Sequence, residues 1–319
     1  MRLSDVSDDQ HTVGIARDLS RMLLTHRLDA QQKRISSDRN IDVESIAPPD
    51  LARSGNPLDL VYGAGIILLD GRSEGTDRRS APVLLCDPAI STAGLPGAIE
   101  PLEDNDVLSE LGVPGLDHET LLFIIPEPIP YFATAECVNG PGTTGSLGAV
   151  VTEKAGQQRT LISTAGHVAA VGAQVADAHG ISGTVVWSHN PSASASAAPA
   201  ADIALIEPSS GGCGSGSVTI NRTTISRPGD GVDVHGALTS AASSQTMGFT
   251  PALFVPQMAG MWAQLYFTTT AASVAGDSGA PVLASGSNDI VGHIVGGAPG
   301  LTSYIQAIDA QLQAINCAL

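Results

Sequence analysis

The sequence predicts a mainly β protein: a barrel or sandwich from about residue 130 to the C-terminus, closed by a helix and preceded by a smaller α+β region. Three observations carry that prediction. Strand-sized runs of Val, Ile, Leu and Thr recur at short intervals between Gly-, Ser- and Pro-rich turns. Aromatic residues make up only 3 % of a chain that is 43 % hydrophobic, so the core must rest on aliphatic, largely β-branched side chains. The composition also changes near residue 130, where Pro-punctuated polar sequence gives way to Gly, Ala, Ser, Thr and Val.

Taken in order, residues 13–28 carry Ile15, Leu19, Met22 and Leu23 at helical spacing and predict an amphipathic helix. Residues 30–56 read as a polar linker. Leu58 to Leu69 and Pro82 to Cys86, joined by a charged turn over residues 70–80, predict a β-hairpin. Residues 105–112 predict a short helix, and Leu121 to Ile125 a buried strand ended by the proline-rich stretch Pro126 to Pro130. This places a domain boundary at 130, with an N-terminal helix/hairpin region (1–130) of regulatory or docking role and a second domain over 131–319. In that second domain the expected strands are Leu147–Val151, Thr160–Ser163, Gly183–Trp187, Ile203–Ile206, Ser217–Ile220, Gly231–Val234, Ala263–Thr268, Pro281–Leu283 and Ile290–Val295. Residues 191–201 and 208–216 read as a surface loop and a flexible connection. Ile305, Ile308, Leu312 and Ile315 predict one face of a terminal helix.

The formal net charge of −17 argues against a nucleic-acid partner, which would need clustered Lys and Arg. No apolar stretch reaches the ~18 residues of a membrane span, and the N-terminus has no apolar signal region. Four separated cysteines (Cys86, Cys137, Cys213, Cys317) match neither a zinc motif nor a disulfide framework. A cytoplasmic protein without metal or cofactor is expected.

The chemistry converges on Gly276-Asp277-Ser278-Gly279-Ala280-Pro281-Val282. A serine between glycines, followed by an apolar run, suits an exposed and aimed hydroxyl, with the amides of Gly276 and Ser278 turned toward a developing oxyanion. Upstream, Ser163-Thr164-Ala165-Gly166-His167 ends a strand in a histidine. Asp202-Ile203-Ala204-Leu205-Ile206 begins a strand with a carboxylate. Each residue alone is an ordinary turn or strand-end polar group. Together, in the order His167, Asp202, Ser278, they supply base, orienting carboxylate and nucleophile. Asp177 and Asp233 are rivals for the carboxylate role, but neither heads an apolar run. Gly142 to Gly148 lacks the Gly-Lys-Ser/Thr ending of a phosphate loop and reads as the approach to a strand.

These segments, with Val291-Gly292-His293-Ile294-Val295-Gly296-Gly297 and the terminal helix, resemble the chymotrypsin/trypsin-like serine peptidases over residues 140–319. The resemblance implies two six-stranded barrels with the triad in the cleft between them, protein or peptide substrates, and residues 291–297 as the strand lining that cleft. Ala280 stands where the family usually has Gly. Val168 and Val274 stand in the neighbourhoods where animal members carry cysteines, so the chain is more similar to bacterial members. No Ile-Val-Gly-Gly activation sequence is present, and Arg222 or Arg227 is the expected partner of Asp277. The N-terminal part weakly resembles the plant narrow-leaf protease and its bacterial relatives.

The same resemblance puts Ala272 and Ser273 at the base of the substrate pocket, with Ile294 and Gly297 on its wall. That pocket has no carboxylate for Arg or Lys, so small or medium apolar side chains are expected there. Strand alternation turns His293 away from it. The function expected is a serine endopeptidase working through an acyl-enzyme. The alternative is a catalytically silent binding or scaffold protein on the same fold.

Overall fold

The computed structural model describes residues 7, 9–37, 56–69, 79–91, 94–102, 120–130, 145–176, 182–191, 198–209 and 219–319. In chain order its elements are α1 (Gln10–Ser37), β1 (Val61–Leu69), β2 (Arg79–Cys86), β3 (Ile99–Pro101), β4 (Leu121–Ile124), β5 (Ile129–Pro130), β6 (Val150–Glu153), β7 (Thr160–Thr164), β8 (Gln174–Ala176), β9 (Ser182–His189), β10 (Ile203–Pro208), β11 (Gly231–Val234), β12 (Ala242–Val255), β13 (Gly260–Thr268), β14 (Pro281–Ala284), β15 (Ile290–Ala298), β16 (Thr302–Ala307), α2 (Ile308–Ile315) and β17 (Cys317–Ala318).

Two six-stranded units form the C-terminal part, as expected. The first is a sheet in the order β17-β6-β7-β10-β9-β8, completed by the chain's own C-terminal strand. In the second, β11-β14-β15-β16-β13-β12 closes into a ring, because β12 also pairs with β11. A closed ring leaves no free edge among its own strands. Helix α2 packs Ile308 and Leu312 against Val151, Leu161 and Leu205 of the first unit and Leu283 and Ile290 of the second, and so fastens the two together.

The N-terminal region continues the second unit's sheet. β1 pairs antiparallel with β12, β2 with β1, and β4 runs parallel to β2. The hairpin and the Leu121 strand are therefore present. Helix α1 lies on β1 and β2 through Ile15, Leu19 and Leu23. It begins earlier than its apolar spacing predicts, because the Asp9 carboxylate accepts from the amides of His11 and Thr12 and from the Thr12 hydroxyl. Arg27 reaches from α1 to the Asp59 and Val61 carbonyls and lies over the Phe254 ring of β12, 4.2 Å from its centroid. Tyr62, Val83, Leu85 and Phe123 share one core cluster with Leu253, Trp262 and Phe267. The division at residue 130 is thus kept as a proposal about role, since the two sides share a sheet and a core.

Several boundaries differ from expectation. Ile305 lies in β16, and only Ile308, Leu312 and Ile315 of the four apolar positions belong to α2. Ala307 is the junction, where a strand running into a helix mimics a single helical period. The strand expected over Leu147–Val151 begins at Val150, and residues 219–220 of the Ser217–Ile220 run are not in a strand. Strands β3, β5, β8, β12, β16 and β17 have no counterpart in the sequence reading. The expected 105–112 helix, most of the 70–80 turn, the middle of the 191–201 loop and most of the 208–216 connection lie outside the described residues, as do Cys137, Cys213, His118, His179 and Asp177. Cys86 and Cys317 are buried free thiols. No described helix is long and apolar enough to cross a membrane.

Candidate active site

Antiparallel pairing brings the first two polar residues together. Thr164 at the end of β7 faces Ala204 near the start of β10, so the turn after β7 and the residue before β10 emerge at the same end of the sheet. His167 sits in that turn and Asp202 at that strand start. The His167 backbone N–H donates to Asp202 Oδ1 at 2.8 Å, and its Nδ1 lies 2.6 Å from Asp202 Oδ2. A carboxylate on Nδ1 fixes the tautomer with that nitrogen protonated and leaves Nε2 as acceptor. Ser278, on the turn before β14 in the second unit, brings Oγ to 2.9 Å from Nε2. Serine, imidazole and carboxylate therefore form one continuous hydrogen-bonded relay across the two units.

Asp202 is fully buried, a costly place for a carboxylate without donors. The sequence reading missed the third donor: Trp262 Nε1 on β13 reaches Oδ2 at 2.8 Å. A second layer lies behind. Gln306 Oε1 accepts from the Asp202 amide at 2.7 Å, and the Gln306 Nε2 group donates to the Ala200 and Ala263 carbonyls. Gln311 on α2 donates to Gln306 Oε1 at 3.2 Å and to the Asp202 carbonyl at 3.3 Å. Asp233, the rival carboxylate, is on β11 and accepts from the Ser243 hydroxyl at an exposed position, outside this network.

The nucleophile loop is held from behind by a residue with no local motif. Ser146 donates its amide to the Ser278 carbonyl (2.7 Å) and its hydroxyl to the Gly276 carbonyl (3.1 Å), and accepts from the Ala237 amide (2.9 Å). Its only sequence signal is the glycine-flanked segment 145–148, which reads as the approach to a strand. Gly276 has φ of +104°, a backbone state open to glycine and strained for other residues. Among the described residues no backbone hydrogen bond from the amides of Gly276 and Ser278 is present.

Asp277 does not meet an arginine. Its Oδ1 accepts from the Leu238 and Thr239 amides (3.0 and 3.3 Å), and its Oδ2 from the Val274 amide (2.9 Å) and the Thr239 hydroxyl. Arg222 instead pairs with Asp289 at 2.9 Å, and the Arg227 amide is used by Asp230. In place of the expected ion pair stand neutral donors from Val274, Leu238 and Thr239.

Three of the four residues expected at the pocket, Ala272, Ser273 and Gly297, meet around Ser303 of β16. Its hydroxyl accepts from the Ala272 amide (3.0 Å) and the Ser273 hydroxyl (2.6 Å), and Ser303 pairs with Gly297 across the ladder. Ile294 packs in the same cluster as Ala272 and Ala280. His293 points the other way, into the protein. Its Nε2 accepts from the Ala149 amide at 3.2 Å and lies 3.1 Å from Ser163 Oγ, and its Nδ1 is 2.7 Å from Gln311 Oε1. Burial pushes this imidazole down to about 4, so it is neutral. Among the described residues no cluster of His, Cys, Asp and Glu could hold a metal.

No protein-family model and no curated protein sequence matches the chain. Solved structures do. Nocardiopsis protease is 22 % identical over 59 % of this chain and 98 % of its own, with a TM-score of 0.46. Cellulomonas bogoriensis chymotrypsin is 24 % identical over 60 % and 98 %, with a TM-score of 0.45. A glutamic acid-specific serine protease, described as using a novel histidine triad in substrate binding, is 18 % identical over 58 % and 97 %, with a TM-score of 0.46. These likenesses concern the fold alone. On its own strand order and terminal helix, the C-terminal part of the chain has the trypsin-like serine peptidase fold.

Proposed function

We propose that the protein is a serine endopeptidase acting on protein or peptide substrates. Ser278 Oγ attacks the scissile carbonyl while His167 Nε2 takes the hydroxyl proton. Asp202 keeps the imidazole oriented and stabilises the imidazolium. The negative charge on the former carbonyl oxygen is met by the amides of Gly276 and Ser278. His167 then returns the proton to the leaving amine, which departs as the carbon–nitrogen bond breaks. Water, deprotonated by the same imidazole, releases the acyl group and restores Ser278.

The observation that carries this reading is the unbroken relay from Ser278 Oγ through His167 to Asp202, at 2.9 and 2.6 Å. None of the four residues read as the pocket, Ala272, Ser273, Ile294 and Gly297, is charged, which favours small or medium apolar residues on the acyl side. A non-catalytic binding role on the same fold is the second reading, favoured by the complete burial of Ser278. The two separate on one variant: Ser278→Ala should abolish cleavage of a casein-type protein substrate while unfolding with an unchanged transition. Cleavage at the wild-type rate would reject the assignment.

A further inference from the structure

An extended peptide presented to Ser278 needs a strand edge to lie on, and β15 offers one. One side of β15 is taken by β16 along Gly292–Ala298. Its other side is bonded to β14 at His293, which faces Pro281, and to the loop before β14 at Ile294, whose N–H donates to the Ala280 carbonyl (3.0 Å) and whose carbonyl accepts from the Gly279 amide (2.7 Å). Beyond that point Ser278 Oγ comes within 3.4 Å of the Val295 carbonyl, so the edge from Val295 onward leads away from the nucleophile. Pairing there would place the second and third residues upstream of the scissile carbonyl opposite Gly296 and Gly297, with backbone hydrogen bonds for affinity and side-chain pockets for choice.

That edge is already occupied by the chain itself. Ile129 faces Gly297 and Pro130 faces Gly296 in an antiparallel pair. The approach is close: a Cβ on Gly296 would lie 2.2 Å from the Ile129 carbonyl oxygen and 2.6 Å from the Trp262 ring. Pro130 brings no N–H, so Ile129 is the donor that this two-residue strand can offer. A second observation agrees. Ser278 and the His167 side chain have no solvent exposure, although their mutual geometry is ready for chemistry.

We propose that Pro126–Pro130 is an internal competitor for the acyl-side substrate strand. The N-terminal region carries a segment that fills the cleft edge in the manner of a substrate, and a peptide reaches Ser278 only when that segment leaves. This rests on the endopeptidase reading above. It gives the N-terminal region a specific role: tethered to the same core, the segment competes at the high effective concentration of an intramolecular ligand. The competent fraction of the enzyme sets its apparent affinity for substrate.

The test compares the wild-type chain with Ile129→Pro, which removes the donor that the described strand offers. Two rates are measured: labelling of Ser278 by a small fluorophosphonate and cleavage of an apolar peptide series. The loss of one such pairing should raise kcat/KM roughly fivefold to tenfold, mostly through KM, and should speed labelling. Equal rates in the two proteins, with Ser278 labelled in both, would overturn the proposal and leave the endopeptidase reading standing. Absence of labelling in both would remove that reading and this inference with it.

A measurement on the wild type alone guards against a variant that fails to fold. Hydrogen exchange at the Ile129 amide should accelerate on capture by a tripeptidyl phosphonate, which needs the β15 edge. It should accelerate less with a fluorophosphonate that carries no peptide. Unchanged exchange after tripeptidyl capture would overturn the proposal.

Discussion

Trp262 Nε1 and His167 Nδ1 share a single oxygen, Asp202 Oδ2, at 2.8 and 2.6 Å. The indole sits in the second unit and the imidazole in the first, so the buried carboxylate is bonded from both sides of the cleft. A carboxylate with two donors on one oxygen is held in place from both sides. The indole also packs beneath Gly296, so the same side chain supports both the relay and the cleft strand.

Trp262 is accordingly a positioning residue. Trp262→Phe keeps the ring and removes the donor, and should lower kcat/KM by roughly tenfold to a hundredfold, the usual cost of leaving a buried charged group short of one hydrogen bond. The split between kcat and KM separates this role from a general packing defect. A relay whose carboxylate is held less firmly should lose rate in kcat and keep KM near the wild-type value. A loss carried equally by KM, together with a lowered urea transition, would show that the indole acts only by packing.

His293 makes the fold sensitive to acid. Unfolded, its imidazole takes up a proton near the ordinary 6.5; folded, burial holds it neutral down to about 4. Between those values only the unfolded chain binds the proton, so stability falls as pH drops through the window and levels off below it. The full window corresponds to about 3 kcal/mol. Urea unfolding at pH 7 and pH 4.5 should show most of that loss in the wild type and a smaller pH difference in His293→Gln. Equal differences in the two proteins would contradict the account.

Substrate choice follows from which face of β15 lines the pocket. Ile294 lies with Ala272, while His293 is spent on Ala149, Ser163 and Gln311. Peptides differing only at the residue before the scissile bond should be cleaved fastest after Ala, Val or Leu. Fastest cleavage after Glu would place His293 at the pocket, and fastest cleavage after Arg or Lys would require a carboxylate there.

The relay was legible in the sequence because each member sits in a strand-plus-small-residue context of its own, and because their order is informative. The hairpin, α1 and most of the strands lining the cleft were legible from apolar runs. Trp262 and Ser146 were not, because their roles arise from contacts with residues far along the chain: Trp262 lies 60 positions from Asp202 and Ser146 130 from Gly276. Strand β12 was hidden by its Ser-rich first half and by Pro251, which the ladder with β13 skips between Thr250 and Ala252. Pro126 to Pro130 read as a boundary for the same reason that it can pair only briefly with β15: prolines end ladders. The Arg222 expectation failed because neutral donors met Asp277, and neutral amides leave no charge pattern to read.

On the proposed mechanism Ser278 is a nucleophile activated by His167. Its most direct test is mass-spectrometric mapping of a fluorophosphonate adduct on the native full-length protein, set beside His167→Ala and a urea-denatured control. One adduct is expected, on Ser278, formed in the native wild type and slowed by at least about a hundredfold in His167→Ala and on denaturation. Labelling spread over several serines, or equal labelling of Ser278 in the native and His167→Ala proteins, would contradict it.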